Sequence, residues 1–189
     1  MELDKKSIIL EAVEQIITYK RFHEVKVEDI ATKAGVGKGT IYRYFKDKDH
    51  LFFELAIYGF DPFTERLTEI VSSEKSFNER LTESAYHLES FFKKRHNTMR
   101  SFREHEERIM TLEPERKKIM SEKKESVDKQ LTNLFSNGQN EGYITKSVSA
   151  EILAIMFIEQ LIGRLHWPMR VEKPSVEEML KLLINGIGI

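Results

Sequence analysis

Val27, Ile30, Ala31 and Ala34 recur at helical spacing for two turns and stop at Gly35, and Ile41 and Phe45, four residues apart, take the period up again soon after. A glycine ending a short amphipathic helix suits the left-handed backbone that a side chain would strain. The stretch AGVGKGTIYRYF, Ala34 to Phe45, therefore predicts two short helices joined by a tight glycine turn. Val36 is expected to pack back, Gly37 to open the second helix, and Ile41 and Phe45 to point inward.

Helical spacing also governs the flanks. Ile8, Ile9, Ala12, Val13, Ile16 and Ile17 mark a first amphipathic helix, and Leu51, Phe52, Leu55 and Ala56 begin a fourth. Beyond Asp61-Pro62 the pattern predicts helices over 63–71, 77–94, 98–110, 114–138, 149–166 and 175–187, with breaks at SSEKS, RHN, LEP, NEGYITKSVS and WPMRVEKP. No strand-like alternation and no repeat period is present. The expectation is an all-α protein of about nine helices, with a helix-turn-helix domain at 1–48 and a helical domain at 49–189.

Three glycines around Lys38 pose the question of which phosphate their amides approach. A nucleotide P-loop fails, because Gly39 follows Gly37-Lys38 where Ser or Thr is needed, Thr32 stands at the first glycine's position, and the segment before it is helical. A dinucleotide fingerprint fails because Gly35, Gly37 and Gly39 alternate and no strand leads in. Duplex DNA fits better. The chain's net charge is only -1, yet Lys33, Lys38, Arg43, Lys46 and Lys48 are opposed locally by Asp47 alone, which concentrates positive charge at one place on an acidic body. Gly37 and Gly39 let a helix start, with its free N–H groups, come close to a phosphate. With Ile41 and Phe45 inward, Lys38, Thr40, Arg43 and Tyr44 lie on accessible faces. Lysine reaches guanine acceptors and threonine a base edge or a thymine methyl. The hydroxyls of Tyr42 and Tyr44, with Lys48, are placed to hold phosphates.

The segment VEDIATKAGVGKGTIYRYFKDKDHLF, Val27 to Phe52, closely resembles the DNA-binding segment of TetR/AcrR-type transcriptional regulators. Ile30, Ala31, Ala34, Gly35, Val36, Gly39, Thr40, Ile41, Tyr42, Tyr44, Phe45, Lys48 and Leu51 match that family's pattern. The resemblance covers about 45 residues with the first helix included. It implies that Lys38, Gly39 and Thr40 meet DNA at the start of a recognition helix while Tyr42, Tyr44 and Lys48 grip phosphates. Three positions depart from the pattern: Gly37 stands for the usual serine cap, Val25-Lys26 for a threonine followed by a second hydroxyl residue, and Arg21 for a glycine. Lys26 thus adds a cation beside the DNA-facing elements. The resemblance also implies a C-terminal effector-binding and dimerisation domain. Its expected pocket draws on Phe91, Phe92, Met99, Phe102, Met110 and Phe135, with Tyr86, His87 and Arg103 as polar contacts, and a lining of that kind suits a small hydrophobic effector.

The dimer also has a signal of its own. Between Val148 and Trp167 apolar residues cover more than one helix face, so both sides need covering, and a second apolar helix follows. Leu153, Met156, Phe157, Leu161, Leu165, Met179, Leu180, Leu183 and Ile187 are the expected interface, two helices from each subunit making a homodimer that reads two half-sites. Catalysis and metal binding find no support. The chain has no cysteine and no G-x-S-x-G, and FREHEERIM lacks the paired histidines of H-E-x-x-H because Ile109 stands at the second. Neither a metal nor a cofactor is expected. Glu11 and Glu14 interrupt the N-terminal apolar run, and Glu159 and Gln160 the one from Ile152 to Ile162, so neither an export signal nor a membrane span is expected. The resulting expectation is a cytoplasmic homodimeric regulator binding double-stranded DNA, a repressor released by a hydrophobic effector. The alternatives are an activator, a ligand-independent DNA binder, or an enzyme or carrier keeping the helix-turn-helix for packing.

Overall fold

The computed structural model describes residues 4–111, 114–165 and 172–187; within them, the side chains of 99, 101–111 and 187 lie outside the described set. Among the described residues the chain is all-α, with no strand and nine α-helices: α1 (Lys5–Ile16), α2 (Val27–Ala34), α3 (Lys38–Tyr44), α4 (Lys48–Ile57), α5 (Phe60–Val71), α6 (Phe77–Thr111), α7 (Pro114–Asn140), α8 (Ala150–Leu165) and α9 (Val176–Ile187). Two compact units result, one of Met1–Gly59 with Arg95–Ser121 and one of Phe60–Lys94 with Glu122–Ile189. The sequence boundary at 48/49 falls before α4, whereas the first unit runs on to Gly59 and takes in parts of α6 and α7. Periodicity along a chain cannot reveal that a distant segment joins a core.

In the first unit α1 packs on α2 and α4, and α2 on α3. Their shared core holds Ile9, Val13 and Ile16 from α1, Ile30 from α2, Ile41 from α3, and Leu51, Phe52 and Leu55 from α4, together with Phe22, Phe45 and Met120. Phe22, in a single 3-10 turn at Phe22–Glu24, meets Phe52 edge to face at 4.3 Å. Arg95 of α6 is buried and donates to the carbonyls of Leu55 and Ala56 (3.3 Å to the latter), which end α4 and lack intrahelical partners.

In the second unit Phe63 of α5 stacks on Phe91 at 4.2 Å and on His87 at 4.6 Å, while Phe60 meets Phe91 at 5.2 Å. A second aromatic group joins Phe77 of α6, Phe135 of α7 and Phe157 of α8, with ring centroids 6.3 and 5.6 Å apart. Reciprocal Ser/Glu caps begin α6 and α9: the Ser76 N–H donates to Glu79 Oε2 at 3.0 Å and the Ser175 N–H to Glu178 Oε2 at 2.7 Å.

Three boundaries differ from expectation. RHN does not break a helix, and α6 runs unbroken through it, since none of the three residues is Gly or Pro and the burial of Arg95 supplies tertiary support. Pro62 lies inside the first turn of α5, where its missing N–H costs nothing. Gly138 is not a terminator. The left-handed residue after α7 is Gly142 (φ +80°), and Gly138 is buried inside the helix because the Phe77 ring lies against it. A Cβ there would stand 2.5 Å from Phe77 Cε2 and 2.6 Å from Cδ2, and Phe77 is itself fully buried. Gly138→Ala is accordingly expected to destabilise by about 1–2 kcal/mol, the overpacking cost of ~1–3 kcal/mol less the helix gain of alanine over glycine. Thermal melts should fall by roughly 2–8 °C; an unchanged or raised Tm would contradict the packing described.

Candidate nucleic-acid interface

Gly35 closes α2 in the left-handed region (φ +65°, ψ 32°), and the N–H groups of Gly35 and Val36 return to the carbonyls of Thr32 (3.3 Å) and Ala31 (3.0 Å). These are the paired bonds of a Schellman end, and they fix the direction in which α3 departs. Val36, partly buried, packs against the shared core as expected. Gly37 then caps α3 in extended conformation, and Ile41 and Phe45 turn inward, 2% and 1% exposed.

What remains outside follows from helical spacing. Gly39 and Arg43, four apart, are both exposed; Lys38 and Tyr42 flank them on one side, and Thr40 and Tyr44, half-buried, on the other. A Cβ at Gly37 or Gly39 would meet nothing within 4 Å, and neither glycine has positive φ. Neither packing nor backbone geometry within the chain therefore demands glycine at these positions. Arg43 lies over the Tyr44 ring at 5.4 Å, and Tyr44 also packs against the core. Asp47 caps α4 by accepting from the His50 N–H at 2.7 Å, and the Lys46 N–H donates to His50 Nδ1 at 3.1 Å. That cap sets Lys48 in the first turn of α4, where its ammonium lies 4.5 Å from the centroid of the Phe22 ring. Lys26, exposed, is the N-cap of α2; its N–H donates to Asp29 Oδ2 at 3.4 Å. Lys26, Gly37, Lys38, Gly39, Thr40, Tyr42, Arg43, Tyr44 and Lys48 all belong to the helix-turn-helix or its immediate flanks.

One residue at this surface was not anticipated. Glu28, exposed in the first turn of α2, pairs with Lys38 across the turn. The Lys38 hydrogen bond, before any other influence, holds the Glu28 carboxyl below the usual glutamate value. No local motif signals a pair ten residues apart on two helices. A DNA contact by Lys38 would have to displace this pairing, so Glu28→Gln is expected to tighten binding to any duplex roughly two- to fivefold at low salt. The gain should shrink as salt rises. Anisotropy titrations check this, and weaker binding of every duplex would contradict it.

The remaining predicted residues divide. His87, Phe91 and Phe92 come together with Phe60 and Phe63, and His87 Nε2 lies 2.9 Å from the Phe63 carbonyl. Tyr86 is exposed, and Phe135 is fully buried between Phe77 and Phe157, in the other aromatic group. The side chains of Met99, Phe102, Arg103, Met110 and Ile187 lie outside the described set. On α8 and α9, Leu153, Phe157, Leu161, Met179, Leu180 and Leu183 are buried within the chain itself, and Leu165 is half-buried. Of the expected interface residues, Met156 is exposed; beside it α8 presents Ile152 and Ile155, and α9 presents Leu182. Periodicity showed that two faces of α8 are apolar but not which of them the chain covers. Among the described residues no cluster of His, Asp or Glu could hold a metal, and no helix is long and apolar enough to cross a membrane.

The family model described as "Bacterial regulatory proteins, tetR family" matches residues 9–55, which span α1 to α4 up to Leu55. The HTH-type transcriptional regulator YhgD of Bacillus subtilis is 24% identical over 193 residues, covering 100% of this chain and 99% of the relative. FadR from Bacillus subtilis, solved in complex with stearoyl-CoA, shares the fold with a TM-score of 0.73 at 23% identity, over 96% of this chain and 98% of that one. AibR, solved with isovaleryl coenzyme A and operator DNA, does so with a TM-score of 0.70 at 19% identity, over 98% of each chain. The helix-turn-helix geometry and the matching model agree: residues 9–55 match the DNA-binding domain of the tetR family of bacterial regulatory proteins, and the chain as a whole is similar to TetR-type transcriptional regulators.

Proposed function

We propose that the protein is a cytoplasmic, homodimeric one-component repressor that reads operator DNA with α3 and leaves it when a small hydrophobic effector binds. Residues 1–48 form the DNA-reading head, and 49–189 form the effector-binding and dimerisation body. The observation that carries the reading is the pair of exposed glycines at the start of α3, which nothing inside the chain requires. Their value lies outside it, where a bare helix start lets N–H groups and the positive dipole end approach a phosphate closely. Lys38, Thr40 and Arg43 then face base edges, while Tyr42, Tyr44, Lys48 and Lys26 hold the backbone on either side.

Ile152, Ile155, Met156 and Leu182 supply the apolar surface for the second subunit. Effector binding draws support from the aromatic group of Phe60, Phe63, His87 and Phe91, and from the acyl-CoA ligands of FadR and AibR. The effector shifts the protein off DNA only by binding the DNA-incompetent arrangement more tightly. The test is operator binding with and without hydrophobic acids, thioesters and drug-like compounds. Release by one class supports a repressor; tighter binding in its presence would favour the activator reading, and indifference to every ligand a ligand-independent DNA binder.

A further inference from the structure

Arg164, in the last turn of α8, is more than nine-tenths buried, and it donates through Nη2 to Glu89 Oε1 of α6 at 2.8 Å. Its Nε and Nη1 are buried as well and find no acceptor among the described residues. A buried guanidinium with idle donors is costly, and such groups in native proteins usually await a water, an ion or a ligand. Burial opposes ionisation of Glu89, but hydrogen bonds from Arg164 and Lys93 outweigh it and hold the carboxyl below the usual glutamate value. Lys93, itself exposed, reaches the other oxygen, Oε2, at 3.1 Å, so the carboxylate is shared between the two cations. On α8 the fully buried Leu161 and Phe157 precede Arg164 at helical spacing, and on α6 Phe92 follows Glu89 by three residues.

We infer that Arg164, held in place by Glu89, is the anchor for the anionic head of an amphipathic effector whose apolar chain lies among the body helices. This rests on the effector-binding reading and specifies the chemistry of the ligand: an acid or another anion-bearing acyl compound rather than a neutral one. Glu89 orients the guanidinium, and the unpaired Nε and Nη1 take the ligand's oxygens.

Two sources supply that chemistry, a free carboxylate and a coenzyme A thioester with its phosphates. Decanoate, decanoyl-CoA and decanol, each below its micelle concentration, should be titrated calorimetrically into the full-length protein and into Arg164→Gln and Arg164→Lys. The wild type is expected to bind decanoate or decanoyl-CoA about tenfold or more tightly than decanol, and which of the two binds identifies the source. Arg164→Gln should bring the anion down to the alcohol's affinity and leave the alcohol unchanged, which also reports that the body is folded. Arg164→Lys should restore part of the preference. Equal affinity for acid and alcohol in the wild type, a preference that survives in Arg164→Gln, or no binding of any probe would each overturn the anchor. Effector binding in general would then be judged separately, by whether uncharged aromatic compounds release the operator.

Discussion

Ile155→Glu with Met156→Glu is expected to leave a folded monomer whose affinity for a two-half-site operator is lower by about a hundredfold or more. The two side chains are 58% and 46% exposed in the single chain, so removing them takes nothing from its core. Ile152 on the same helix and Leu182 on α9 are exposed apolar side chains too, and a contiguous apolar patch of that kind is what a partner would cover. A carboxylate buried at their contact would lack a partner, and that cost falls on the dimer alone. DNA affinity follows because a dimer's second head binds at high effective concentration, a gain of roughly 10²–10⁴ that a monomer loses. Sedimentation or light scattering should report the halved mass and anisotropy the lost affinity. A dimer that persists, or a monomer that binds as tightly, would show that the subunits meet elsewhere or that one head suffices.

Gly39→Ala should move stability and DNA binding in opposite directions. Gly39 lies inside α3 with ordinary negative φ and open space around it, so alanine removes unfolded-state freedom without strain. The free protein should gain about 0.4–1 kcal/mol. On DNA the added methyl would stand at the outermost face, beside Arg43, and would force the helix start away from the phosphate it is proposed to approach. An overpacking cost of about 1–3 kcal/mol corresponds to a loss of roughly 5- to 150-fold in affinity. A raised Tm with weakened operator binding is the expected pair of results. Unchanged DNA affinity would mean that the glycine does not face DNA.

The head was legible in the sequence because its determinants are local. Gly35 needs a left-handed backbone, Ile41 and Phe45 set the inward face of α3 four residues apart, and the remaining positions of α3 are left outside. The body was less legible because its determinants lie far apart in the chain. Glu89 and Arg164 are separated by 75 residues, and neither sits in a motif. Phe135 has the composition of a pocket residue, yet it packs between Phe77 and Phe157. On α8 the apolar pattern gave both the face turned into the chain and the face turned out, and the separation of Leu153 and Phe157 from Ile152 and Ile155 appears only when the other helices are in place. Gly138 carries the same lesson, a glycine chosen for the ring of Phe77 sixty-one residues earlier rather than for a turn.

The most direct test of the central claim is anisotropy titration of duplexes from upstream of the protein's own gene, at several salt concentrations, for the wild type and for Tyr42→Phe/Lys48→Ala. Sequence-selective binding is predicted, with a log–log salt dependence shallower in the variant by about one for the lost lysine contact. Affinity should drop by a similar factor on every duplex, since these residues are assigned to phosphates. Binding that shows no selectivity in a genome-wide oligonucleotide selection, or a variant with unchanged affinity and salt slope, would contradict the assignment of α3 and its flanks as the DNA-reading surface.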